Sequence, residues 1–218
     1  SVLALLLFLF KNNFHMNIKN DSILVFVSGE PDTLDPLNYD SFVNHVVFGS
    51  VNSNLISQYK LGEHNPEIAK SWSVNSDHTK WIFKINPKVT FSDGSKITGN
   101  TVLLSWLRMA KIMKSRNSKS GFFENIVGYD NLDETSKEIS GLSSTEETVT
   151  ISLAKPMPNL LDKISFGLYA IVHSSHFDKN GRWIKNKENL ITSGPYKISK
   201  WDNEKIILHL RSDYPKEM

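Results

Sequence analysis

At 218 residues, 39% of them hydrophobic and 11% aromatic, the chain is long and apolar enough to bury the core of one large domain or two small ones. Its net charge of +2 comes from Lys, Arg, Asp and Glu spread along the whole length. No basic block tracks a phosphate backbone, which argues against a nucleic-acid partner. Cysteine is absent, so these residues hold no disulfide, thiolate metal site, cysteine nucleophile or lipidated cysteine.

The run SVLALLLFLF, Ser1 to Phe10, is too short for a bilayer of roughly 30 Å but fits the apolar region of an export signal. It is read as the remainder of a clipped signal peptide, with residues 1–21 as signal and linker; a buried or frayed N-terminal helix is the other reading. Ile23 to Val27 lacks polar alternation and predicts a strand covered on both faces. From Phe42 to Ile56, apolar residues recur at helical spacing (Phe42, Val43, Val46, Val47, Val51, Leu55) and predict an amphipathic helix packed on a sheet. EHNPEIAKSW then reads as a loop leading into a strand at Trp72.

In WIFKI, Trp81, Phe83 and Ile85 alternate with Ile82 and Lys84, the period of a strand with one face inward. Asp93-Gly94 marks a turn, after which Thr98 can cap a helix whose inner stripe is Val102, Trp106, Ala110 and Met113. Lys114 to Gly121 reads as a solvated loop. Thr148 to Leu153 alternates through Val149, Ile151 and Leu153 and is stopped by KPMPN. A short helix (Leu160, Leu161, Ile164), a strand (Tyr169 to Val172), the unit SGPYKISKW and a strand with Ile206, Leu208 and Leu210 on one side complete the chain. Strands and helices are mixed, which means α/β or α+β.

The pair Asp32 and Asp35 in SGEPDTLDP resembles the start of an aspartic-protease site, but such a site needs Asp-Thr-Gly and a second loop like it to share a proton. Leu34 stands where that glycine would be, and no second loop exists. Asp35-Pro36 reads instead as a turn whose carboxylate accepts backbone N–H groups. HSSH, His173 to His176, follows an apolar run with no third ligand near it and reads as a surface loop. Hydrolase and nucleotide-binding motifs are absent. The tryptophans sit mostly at core-like positions. Phe122-Phe123 fits no periodic pattern and is carried as an exposed aromatic pair that could floor a ligand pocket.

Three stretches taken together resemble one family. GEPDTLDP (29–36), PEIAKSWSVNSDHTKWIFKINPKVTFSDGSKIT (66–98) and SGPYKISKW (193–201) are similar, in this order, to the family 5 extracellular solute-binding proteins of bacterial ABC importers, the oligopeptide, dipeptide and nickel-binding group. The resemblance implies lobe I of a two-lobed hinged clamp of the type II periplasmic-binding-protein kind, a mixed α/β fold. Residues 22–52 and 158–218 would form its ligand-facing subdomain and 53–157 an inserted subdomain. The sequence ends about where family members cross to a second lobe, so lobe II is expected to be missing.

By the same resemblance the chain is an exported, periplasmic or extracytoplasmic binding component for oligopeptides or dipeptides, working with a membrane permease, without catalysis, cofactor or metal. A non-transporting interaction or regulatory lobe, or a degenerate paralogue, is the alternative. Such a protein is expected to be monomeric when complete, with dimerisation open to an isolated lobe. The main chain of Asn38, Tyr39, Asp40, Ser41 and Phe42, and of Ser193, Gly194, Pro195 and Tyr196, would line the ligand cleft. Main-chain hydrogen bonds suit a peptide of arbitrary sequence, with wet pockets for its side chains. Three positions depart from the family's pattern. Thr101 replaces a helix-start acid, which predicts loss of the reciprocal capping box; Gly99 predicts a weaker helix; His78 stands where glycine is common.

Overall fold

The computed structural model describes residues 22–26, 33–38, 42–184, 190–202 and 205–215, the side chains of 22–26, 42–45 and 205 excepted. In chain order the elements are β1 (Ser22–Phe26), α1 (Phe42–Val51), β2 (Ile56–Lys60), β3 (Glu63–Pro66), β4 (Ala69–Val74), β5 (Lys80–Ile85), α2 (Gly99–Ser115), β6 (Leu142–Ser144), β7 (Thr148–Ser152), α3 (Leu160–Ile164), β8 (Tyr196–Trp201) and β9 (Lys205–Leu210). They build an antiparallel sheet in the order β4-β5-β7-β6, a second in the order β1-β9-β8, and the β2–β3 ribbon.

The four-stranded sheet follows from the period-two pattern. Trp81 pairs with Ile151 and Phe83 with Val149, so the apolar residues of β5 and β7 stand side by side on one buried face. Against this face lies α2, whose stripe Val102, Trp106, Met109, Ala110 and Met113 is buried. Between β4 and β5, His78 adopts left-handed backbone with φ 56°, the conformation that makes glycine common at such a position.

The start of α2 corrects one expectation, the loss of the capping box. Thr98 caps the helix and Thr101 completes the box with a hydroxyl in place of an acid: the Thr101 amide donates to Thr98 Oγ1 at 3.3 Å, and the Thr98 amide to Thr101 Oγ1 at 3.2 Å. Gly99 is required by packing, because a Cβ there would stand 2.1 Å from the carbonyl oxygen of Thr148 and 2.3 Å from that of Thr145. The helix start is seated on the turn joining β6 to β7, and the Gly99 amide donates to the Glu146 carbonyl at 3.0 Å.

Elsewhere tertiary contacts overrule local periodicity. The helix expected to reach Ile56 stops at Val51: the Asn52 amide still donates to the Phe48 carbonyl, but buried Ser53 and Asn54 make bonds a helix could not. The Ser53 amide donates to Ser193 Oγ, and Asn54 Nδ2 to the carbonyls of Ile164 and Phe166. Residues 63–66, expected in a loop, form β3, which turns back from β2 through Gly62 at φ 80°. Tyr169 to Val172 joins no sheet; Gly167–Tyr169 is a 3-10 turn, and the Ile171 amide donates to the Ser53 carbonyl at 2.8 Å. Among the described residues β1 pairs only with β9 and lies at the edge of that sheet; Val27 and the side-chain burial of β1 fall outside the described residues. Ile206 and Leu208 are buried as expected, whereas Leu210 is 42% exposed.

Candidate functional site

The chain enters the site through the turn Thr33–Asn38, where Pro36–Asn38 is a single 3-10 turn. As the sequence predicts, Asp35 organises this turn: its Oδ1 accepts the Leu37 amide at 3.1 Å, and its carbonyl accepts the Asn38 amide at 3.0 Å. A second partner had no sequence signal. Arg108, on the flank of α2, donates Nη1 to Asp35 Oδ1 at 2.9 Å and Nη2 to Oδ2 at 2.6 Å. The two side chains are only 3% and 4% exposed.

Arg108 is held from several directions in this position. Its Nε donates to the Gly181 carbonyl at 2.8 Å, and its guanidinium lies over the rings of Phe177 (5.2 Å) and Trp183 (5.5 Å). One buried cation therefore ties together α2, the Asp35 turn and the 177–183 loop. In this setting the acid cannot serve as a free catalytic group, and Asp32 lies outside the described residues.

Beyond the turn, Asn38 is exposed and stands at a groove of about 900 Å³ between the outer side of α2 and the 177–183 loop. Arg116 donates to Asn38 Oδ1 at 3.4 Å across this groove. Tyr39, Asp40 and Ser41 lie outside the described residues, and so does the side chain of Phe42, which opens α1.

The second expected ligand segment takes a different role. Ser193 is fully buried; its Oγ donates to the Ile171 carbonyl at 2.6 Å and accepts the Ser53 amide at 3.0 Å. The Gly194 amide donates to the Val51 carbonyl, and the carbonyls of Gly194 and Pro195 accept Arg211 Nη1 and the Arg211 amide. The Tyr196 carbonyl accepts Thr192 Oγ1. These bonds make the segment an internal clamp on the end of α1. Gly194 is needed for that contact, since a Cβ would come within 2.7 Å of the Val51 carbonyl carbon.

Phe122 and Phe123 are corrected as well. Both are fully buried, Phe122 edge-on to Trp106 at 5.4 Å and to Tyr169 at 5.5 Å. Neither lines the groove beside Asn38; the Tyr169 hydroxyl donates to the Ser120 carbonyl and closes the cluster, and burial pushes the Tyr169 phenol up to about 12. His176, expected in a surface loop, is 3% exposed and stacks on Trp183 at 5.2 Å, with Nε2 2.8 Å from the Ile191 carbonyl. Burial holds its pKa below the ordinary histidine value. Among the described residues no group of three or more His, Cys, Asp or Glu could hold a metal ion.

With this geometry in place, comparison with known proteins decides the family. Residues 63–217 match the bacterial extracellular solute-binding proteins, family 5. The chain belongs to that family. The family 5 chain is 24% identical over 189 residues to the dipeptide-binding protein DppE of Bacillus subtilis, covering 84% of this chain and 34% of that protein. It is also 24% identical over 194 residues to the periplasmic oligopeptide-binding protein OppA of Salmonella typhimurium, covering 85% and 35%.

Among solved structures it superposes on Listeria monocytogenes OppA bound to peptide with a TM-score of 0.74 at 20% identity, over 88% of this chain and 39% of that one. For the Escherichia coli murein tripeptide-binding protein MppA the TM-score is 0.73 at 22% identity, over 86% and 37%. The mixed α/β architecture is thus that of part of a periplasmic binding protein, and the chain spans about a third of the length of the relatives it matches.

Proposed function

We propose that this family 5 chain supplies one face of the solute-binding cleft of an ABC importer, taking oligopeptides, dipeptides or solutes of similar size. It acts outside the cytoplasm, passes its solute to a membrane permease and performs no chemistry on it. Residues 22–52 and 158–218 carry the solute face, and 53–157 form the inserted subdomain, whose α2 supplies one wall of the groove. The observation that carries this reading is the buried Arg108–Asp35 clamp, which holds the turn so that exposed Asn38 stands at a wide groove. The Asn38 amide is held by the Asp35 carbonyl, so the main chain that would hydrogen-bond the invariant backbone of a peptide, whatever its side chains, is that of Tyr39 to Phe42 beyond it.

The relatives' names support the solute class: they bind dipeptides, oligopeptides and murein peptides. Isothermal titration of the purified 218-residue chain with a di- to pentapeptide mixture tests the proposal. Saturable heat, accompanied by shifted amide resonances from Asn38 onward, is expected. Absence of both at millimolar peptide refutes it.

A further inference from the structure

The groove beside Asn38 has a charge bias that its composition by sequence does not reveal. Its floor holds the mutually neutralising pair Arg108 and Asp35. Around them stand four cations, Lys111, Arg116, Lys179 and Arg182, against two acids, Glu134 and Asp178. Asp178 is engaged within its own loop, where Oδ1 accepts the amides of Asn180 at 2.8 Å and Arg182 at 2.9 Å.

The cations are differently placed. Lys111 Nζ donates to the Glu134 carbonyl at 3.0 Å. Arg116 has only the 3.4 Å contact with Asn38, and the side chains of Lys179 and Arg182 have no hydrogen bond or ion pair among the described residues. All three are exposed. The wall between them is apolar: Leu104 is 51% exposed, and Ile112, Phe177 and Trp183 are half-buried.

Cations on both walls of a concave, partly apolar surface focus potential into it and raise the local concentration of an anionic guest. The arrangement suits a short amphipathic solute that carries several negative charges.

We propose that this groove selects carboxylate-rich peptides, with Arg116 and Lys179 receiving the solute's carboxylates while Leu104 and Phe177 contact its apolar part. The inference rests on the peptide-binding reading above and narrows it to acidic solutes. It also predicts salt sensitivity, because exposed pairs of this kind are screened within about 8–10 Å at physiological ionic strength.

The test compares Leu-Glu-Glu with Leu-Gln-Gln amide by titration at low and high salt, on the wild-type chain, on R116Q/K179Q and on K80Q/K84Q. The last pair removes the same charge from exposed positions of β5, outside the groove. The acidic peptide should bind about tenfold more tightly at low salt, two exposed pairs supplying that ratio. R116Q/K179Q should erase the difference and K80Q/K84Q should keep it, with unchanged melting temperatures in both.

Equal binding of the two peptides, or an acidic preference that survives R116Q/K179Q, overturns the inference and leaves the peptide reading intact. Binding of neither peptide removes the reading and the inference with it. Binding to phosphatidylglycerol vesicles in place of peptide, lost in R116Q/K179Q, reassigns the patch to a membrane surface and also overturns the inference.

Discussion

Replacing Arg108 with Met is the most informative single change, because it removes the charge and leaves an apolar stem of similar length. Asp35 would be left 4% exposed without a countercharge, and the Gly181 carbonyl would lose its Nε donor. Removing one partner of a buried ion pair costs about 3–5 kcal/mol, since the remaining ion keeps its desolvation penalty and loses its compensation. For a domain of this size each kcal/mol shifts the midpoint by about 2–4 °C, so R108M should melt about 6–20 °C below wild type.

The double variant D35N/R108M should recover most of that loss, because the carboxamide introduced at position 35 retains an acceptor for the Leu37 amide and no buried charge remains. Thermal and urea denaturation of the four proteins in the cycle give the coupling free energy. Amide exchange in R108M should rise at Leu37 and Asn38 and in residues 177–183 together, because one guanidinium holds both segments. A loss below about 1 kcal/mol in R108M, or a double variant no more stable than the single one, would refute the view that this pair fixes the turn.

Gly99→Ala should destabilise by about 1–3 kcal/mol in urea melts despite alanine's higher helix propensity, since the added methyl meets the Thr148 and Thr145 carbonyls. Phe122→Ala should cost about 3–5 kcal/mol by the same assay without selectively weakening peptide binding, as expected of a buried ring that lines no groove. Glu67 has its carboxyl pushed from 4.5 up to about 7 by desolvation, opposed by bonds from Ser53 and Asn54. Its folded pKa exceeds the unfolded one, so the folded chain holds a proton that the unfolded chain has lost. The stability contribution should therefore fall by about 3 kcal/mol as pH rises from 4.5 to 7. Glu67→Gln should flatten that part of the stability-against-pH curve, read from urea midpoints.

Elements with a strong internal period were legible in the amino-acid order alone. The inward residues of β5 and β7, the stripe of α2, its Thr98 cap and the Asp35 turn all follow from interactions within a few residues, and two of the three stretches that resemble the family, 66–98 and 193–201, lie within its match at 63–217. Local chemistry also misled in identifiable places. Thr101 lacks an acid but offers a hydroxyl at the same reach, and Phe122 and Phe123 follow a polar loop yet turn into the core.

The remaining features depend on partners far apart in the chain. Arg108 meets Asp35 across 73 positions, and Ser193 meets Ser53 across 140. Those contacts decide that the Asp35 turn is anchored from within, that the Ser193–Tyr196 loop clamps the end of α1, and that the α1 pattern stops at Val51. Periodicity records which face of an element avoids water. It carries no information on which distant group will satisfy a buried charge or amide, because that match is made only when separate elements come together.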